Sequence, residues 1–161
     1  MVRRTLLTAL TVLSAVVALV FALAAGGDDG NGGKLLDSSL APSLPTDAAF
    51  HGVGPGGVPW QLDRGDVRIK ADGEFDLELR GLVIPSLGTP GPVTTVAASL
   101  FCGADASTAP AATTGQVPLS GQGDARIEAN LSLPATCLAP IVLVHPNGGT
   151  ARYISITGWR S

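Results

Sequence analysis

Four side chains in this chain of 161 residues are of a type that does chemistry readily: Cys102, Cys137, His51 and His145. Cys137 and His145 stand in one stretch, TCLAPIVLVHPNG, residues 136 to 148. A cysteine and a histidine in contact form a nucleophile and its base, or two ligands of a metal. Their spacing argues against both. Residues eight apart in an extended chain lie roughly 26 Å from each other at about 3.3 Å per residue. Ile141 to Val144 reads as a strand, so the two cannot meet within that segment. Paired with Cys102, Cys137 instead makes a disulfide that closes a loop of about 36 residues, stabilising by about 4 kcal/mol in the chain-entropy model. Oxidation removes the nucleophile. The expected Cys102–Cys137 bridge is therefore a staple between the end of one strand and the loop before another.

The histidines by themselves carry little. His145 precedes Pro146 and the turn signal Asn147-Gly148, and His51 lies in a glycine-rich segment; both read as solvent-facing loop residues. A two-histidine metal site requires long-range approach, since neither has a ligand at useful spacing. Asp63 and Asp66 read as turn and strand surface. Asn130-Leu131-Ser132 fits a glycosylation acceptor but reads as polar side chains facing solvent on a strand. GGDDGNGG, residues 26 to 33, has calcium-loop acids without the glutamate such a loop needs at its twelfth position. GVGPGG, residues 52 to 57, lacks the lysine and helix of a phosphate cradle. No cofactor is expected. One ligand surface is worth stating: on the last strand Tyr153, Ser155, Thr157 and Trp159 share a face by period two, and Trp60 can join them. Aromatics interleaved with hydroxyls are what a sugar-stacking platform uses.

The elements that must position these residues are strands. Asp66 to Lys70 and Phe75 to Arg80 alternate about Ala71-Asp72-Gly73. A three-residue loop with Gly73 in the left-handed region sets Ile69 opposite Phe75, Val67 opposite Leu77 and Arg68 opposite Asp76, and pairs Lys70 with Glu74. Further strands are expected at Val93–Cys102, Gln116–Ser120, Asp124–Leu133, Ile141–His145 and Arg152–Trp159, with an exposed loop over Gly103–Gly115. No window has apolar residues at helical spacing with caps. The expected fold is all-β: an antiparallel β-sandwich of seven to eight strands, with a closed barrel as the alternative.

Ahead of it stands a segment of a different kind. Arg3 and Arg4 precede a charge-free run from Thr5 to Ala25 that ends in small residues, the pattern of a secretory signal. The run is also about as long as a membrane span, so an uncleaved anchor is the alternative. The expected organisation is a signal peptide or anchor over residues 1–25, a flexible linker and arm over 26–57 and the β-domain over 58–161. Without residues 1–25 the balance is 8 basic against 13 acidic side chains, net −5. No cluster of Lys and Arg offers a phosphate surface, so nucleic acid is not expected as a partner. Contact with a membrane is expected only through residues 5–25 if uncleaved. A glycan or another surface protein is the expected kind of partner. Few lysines and abundant Ala, Gly, Pro and Val point to a high-GC bacterial source.

The cadence GEFDLELRGLVIP, TTVAASLFCG, PLSGQGDARI, LPATCLAPIVLVHP and YISITG resembles uncharacterised small secreted proteins of high-GC bacteria, over most of residues 58 to 159. The Asp-Gly hairpin, Arg-Gly-Leu, VHPNGG and RYISITG are also distantly similar to CHRD domains, whose His-x-His pair this chain lacks. Neither resemblance carries a functional residue over. The sequence thus reads as a secreted or cell-surface, non-enzymatic binding or structural module. A carbohydrate-binding accessory using the aromatic strip is the first alternative, and a small extracellular hydrolase using His51 or His145 the second.

Overall fold

The structure, a computed structural model, describes residues 33–103 and 109–158. Every regular element among them is a strand: β1 (Lys34–Pro42), β2 (Gly54–Pro55), β3 (Arg64–Lys70), β4 (Glu74–Arg80), β5 (Thr95–Phe101), β6 (Ala112–Thr113), β7 (Val117–Pro118), β8 (Ala125–Asn130), β9 (Ile141–Pro146), β10 (Arg152–Tyr153) and β11 (Ser155–Thr157). Nine of them form one antiparallel sheet in the order β6-β5-β9-β11-β1-β3-β4-β8, with β7 also on β5. The sheet curls until its two halves face each other. Val67, Ile69, Phe75, Leu77, Leu79 and Ile127 from β3, β4 and β8 pack into one cluster with Val96, Ala98, Leu100, Val142 and Val144 from β5 and β9. The architecture is thus sandwich-like, as the alternation predicts. The expected N-terminal helix falls outside the described residues.

The β3–β4 hairpin forms in the expected register. Ile69 pairs with Phe75, Val67 with Leu77 and Arg68 with Asp76. Lys70 Nζ lies 2.7 Å from Glu74 Oε2, and Gly73 has φ +97°. Alternation does the rest: one face of β3 and β4 is buried and the other is wet, bearing Arg126–Asp76 (3.0 Å), Arg126–Glu128 (2.8 Å), Arg64–Asp66 (2.6 Å) and Arg80–Glu78 (2.7 Å).

Three segments differ from expectation. Within Gly103–Gly115, read as an exposed loop, Ala112–Thr113 forms β6 on β5 and Thr114 is buried, its Oγ1 accepting from Ala98 N at 3.0 Å. Lys34–Pro42 falls within the stretch read as linker and arm, yet it is the strand that joins the two halves. Its first part, to Ser39, pairs with β3, and Leu40–Pro42 pairs with β11. A register shift between Lys34 and Leu36, together with the change of partner, erases the period-two pattern by which a strand is recognised. The last strand is likewise divided. β10 pairs in parallel with β2, β11 pairs with β1 and β9, and Ile154 lies between them in the main core.

Candidate functional site

The Cys102–Cys137 bond is formed, with the Cα atoms 4.9 Å apart. It ties the residue after β5 to the loop before β9, and Gly103 N donates to Leu138 O 2.6 Å away beside it. β5 and β9 are already neighbours in the sheet, so the bond reinforces a junction that pairing has made.

The histidines are not on the surface. Both are about 1% exposed. The sequence reading placed them in solvent because each stands next to a turn, and the turns are there. Phe50-His51-Gly52-Val53 is a tight turn with φ +50° and +77° at its two central residues and both Phe50–Val53 backbone bonds made (2.8 and 3.0 Å). Such a turn ordinarily takes Asn-Gly. Here histidine occupies the first left-handed position, and its ring stacks on Phe101 with centroids 4.8 Å apart and planes 20° apart. His145 lies on β9, across from Ala97. Its Nδ1 is 2.8 Å from Arg152 O. A carbonyl only accepts, so Nδ1 carries the proton and Nε2 is left as a bare acceptor, buried without a partner. Burial lowers the His145 pKa, partly offset by the bond to Arg152 O.

His51 packs onto a second, smaller core on the outer face of the β5–β9–β11 half, the face to which His145 also points. Val142 and Val144 point into the main core, so Leu143 and His145 point the other way. There Val53, Phe101, Leu143, Tyr153 and Ile156 form a cluster with Phe50 and Ile141 against it. The segment running from Asp47 to Gly56 lies over this face as a cover. Chain order gives no sign of it, because the glycines and prolines that mark the segment as a loop say nothing of what the loop lies upon.

The aromatic strip is not assembled among the described residues. Tyr153 is buried, its hydroxyl donating to Ala48 O at 2.8 Å, and burial raises its pKa. Ser155 is buried, with Oγ 2.9 Å from Ala41 O. Thr157 Oγ1 accepts from Val142 N at 3.0 Å. Trp60 is in the main core, its backbone N–H donating to Ser43 O. Trp159 lies outside the described residues. The strand break at Ile154 is the physical reason, since it sends Tyr153 to β2 while Ser155 and Thr157 pair with β1. Thr157 and Tyr153 do line one half-open groove of about 210 Å3 on the cover side, with Ala41, Phe50, Ile141 and Ile156. Among the described residues no group of three His, Cys, Asp or Glu side chains is placed to hold a metal ion. No family model, no curated protein sequence and no solved structure matches this chain.

Proposed function

We propose that this chain is an exported, non-enzymatic β-sandwich module with a structural or binding role at the cell surface or outside the cell. One observation carries the reading: the side chains best suited to chemistry are used for packing. His51 stacks on Phe101, His145 holds the Arg152 carbonyl, and the two cysteines are bonded to each other. The disulfide agrees with an oxidising compartment. The charge-free run from Thr5 to Ala25 agrees with export.

The test is fractionation of cells that express the full chain, followed by N-terminal sequencing and thiol titration. A mature N-terminus near Ala25 or Gly26 is expected for the secreted form. A membrane-bound chain that begins at Met1 identifies the anchored form. A cytoplasmic chain with two free thiols overturns the proposal. A hydrolytic activity that His145→Asn abolishes in a folded domain would overturn its non-enzymatic part.

A further inference from the structure

The curled sheet has two edges, and they are built differently. At one end stand β6 and β7, two residues each, interrupted at residues 114–116 and carrying Pro118. Short, broken strands with a proline are poor templates for further pairing. At the other end stands β8, which pairs with β4 over six successive residues with no shift of register and holds no proline. The bonds at its two ends give its backbone direction. Leu131 N donates to Gly73 O at 2.8 Å and Gly123 O accepts from Leu82 N at 2.9 Å, so the odd-numbered residues of β8 turn toward β4. Asp124 O accepts from Ser120 N at 2.9 Å on the opposite side. Arg126, Glu128 and Asn130 therefore turn N–H and C=O outward, and among the described residues no strand pairs with them. β7 does not close the gap: Pro118, Ala125 and Arg126 line a half-open crevice of about 320 Å3.

The side chains on that edge carry a pattern of their own. Arg126 and Glu128 are exposed on the wet face, Nε to Oε1 2.8 Å, and Arg126 also reaches Asp76 at 3.0 Å. Charges on an edge ordinarily repel a second strand. These two are of opposite sign and two residues apart. Identical strands that pair antiparallel are related by a two-fold axis, and the position of the axis decides what faces what. With the axis at Ile127, each Arg126 stands opposite the partner's Glu128, twice over. The same register sets the outward N–H and C=O of Arg126 against those of the partner's Glu128, so four backbone bonds close across the axis. With the axis at Arg126 or at Glu128, like charges meet directly, which is unfavourable. With the axis at Ala129, Glu128 meets the uncharged side chain of the partner's Asn130. Arg126-Ile127-Glu128 is thus its own complement in one register.

We propose that β8 is a docking edge for a second copy of this chain: two β8 strands pair antiparallel about Ile127, held by reciprocal Arg126–Glu128 pairs, and join two curled sheets into one. Each Glu128 then lies between its own Arg126 and the partner's Arg126, and the guanidinium has donors enough for both contacts. One strand edge per copy buries less than the roughly 1,200 Å2 of a standard interface, so the dimer is weak and forms as concentration rises. The joint follows from the described domain and rests neither on export nor on the identity of a ligand.

Sedimentation velocity of the full disulfide-bonded chain, from about 1 to about 500 μM, tests it. The wild type should pass from monomer to dimer within that range. Arg126→Glu and Glu128→Arg each bring like charges together at both crossings, and each should weaken dimerisation by about tenfold or more. Both side chains are exposed, so the fold should hold, and a urea midpoint close to that of the wild type verifies it. An equimolar mixture of the two variants restores opposite charges at both crossings and should form the mixed dimer. The double variant Arg126→Glu/Glu128→Arg reverses both signs and should associate as the wild type does. A wild type that stays monomeric at the highest concentration overturns the proposal. So does a dimer that survives either single substitution, and so does a loss that neither the mixture nor the double variant restores.

Discussion

Alanine at Gly73 should destabilise this domain far more than alanine at Gly88. Both glycines have positive φ, +97° and +67°. In the left-handed region a Cβ costs about 1–2 kcal/mol. At Gly88 nothing lies within 4 Å of where that Cβ would stand, so the conformational cost is the whole effect, about 1 kcal/mol. At Gly73 the Cβ would overlap the carbonyl oxygen of Leu131 and come within 3.0 Å of Asn130 Oδ1. A carbonyl in the backbone cannot swing aside as a side-chain tip can. Relief requires moving the chain after β8, where Leu131 N donates to Gly73 O at 2.8 Å and the Leu131 side chain is part of the main core. Losing that bond costs about 1 kcal/mol. Partial exposure of the leucine costs about 1–2 kcal/mol more. The expected total is about 3–5 kcal/mol, where the turn alone predicts about 1 kcal/mol. Urea unfolding followed by tryptophan fluorescence, with Trp60 in the core as a reporter, measures both variants. With a slope of about 2 kcal/mol per molar urea, the midpoint should fall by about 2 M for Gly73→Ala and about 0.5 M for Gly88→Ala. Equal shifts would refute the argument from close approach, and an unchanged midpoint for Gly73→Ala would refute the hairpin geometry as well.

Reduction of Cys102–Cys137 should lower stability by about 2–4 kcal/mol, read as a shift in the same urea midpoint, and the folded protein should titrate with no free thiol. His145 gives the domain an acid dependence of definite sign. Its folded pKa is lowered by burial while the unfolded chain titrates near 6.5, so the unfolded state binds the proton first. Stability should be full above about pH 6.5, fall as pH drops through the window below it, and level off beneath the folded pKa; a flat profile from about pH 7.5 to 5, or one that His145→Leu does not flatten, would refute this. At His51 the backbone conformation predicts an order. His51→Asn keeps a residue that tolerates φ +50°, and His51→Val introduces a β-branched one that does not, so by thermal unfolding the valine variant should be the less stable by about 1 kcal/mol or more.

Local order was legible in the chain. The β3–β4 register follows from alternation on either side of Ala71-Asp72-Gly73, because only one loop length puts Ile69, Val67, Phe75 and Leu77 on a single face. The tight turn at Asn147-Gly148 follows from two residues that accept positive φ, +49° and +69°. The disulfide follows from two cysteines in a chain read as exported. Each of these rests on neighbours in sequence or on a pairing with one solution.

The candidate site was legible only in its parts. Leu35-Leu36-Asp37-Ser38-Ser39-Leu40 carries no strand period, since β1 shifts register near its start and changes partners at Leu40. Tyr153 to Trp159 has the period of one strand, and the structure breaks it at Ile154 so that Tyr153 serves the cover and Ser155 the junction with β1. Residue types and spacing determined that this chain builds strands, where it turns, and how its hairpin pairs, because backbone conformation and side-chain alternation act over a few residues. Tertiary structure alone decided that both histidines are buried and that one face of the sheet lies under a cover. Burial depends on which distant segment arrives above a residue, and in this chain Asp47–Gly56 reaches β10 across about 100 residues of sequence.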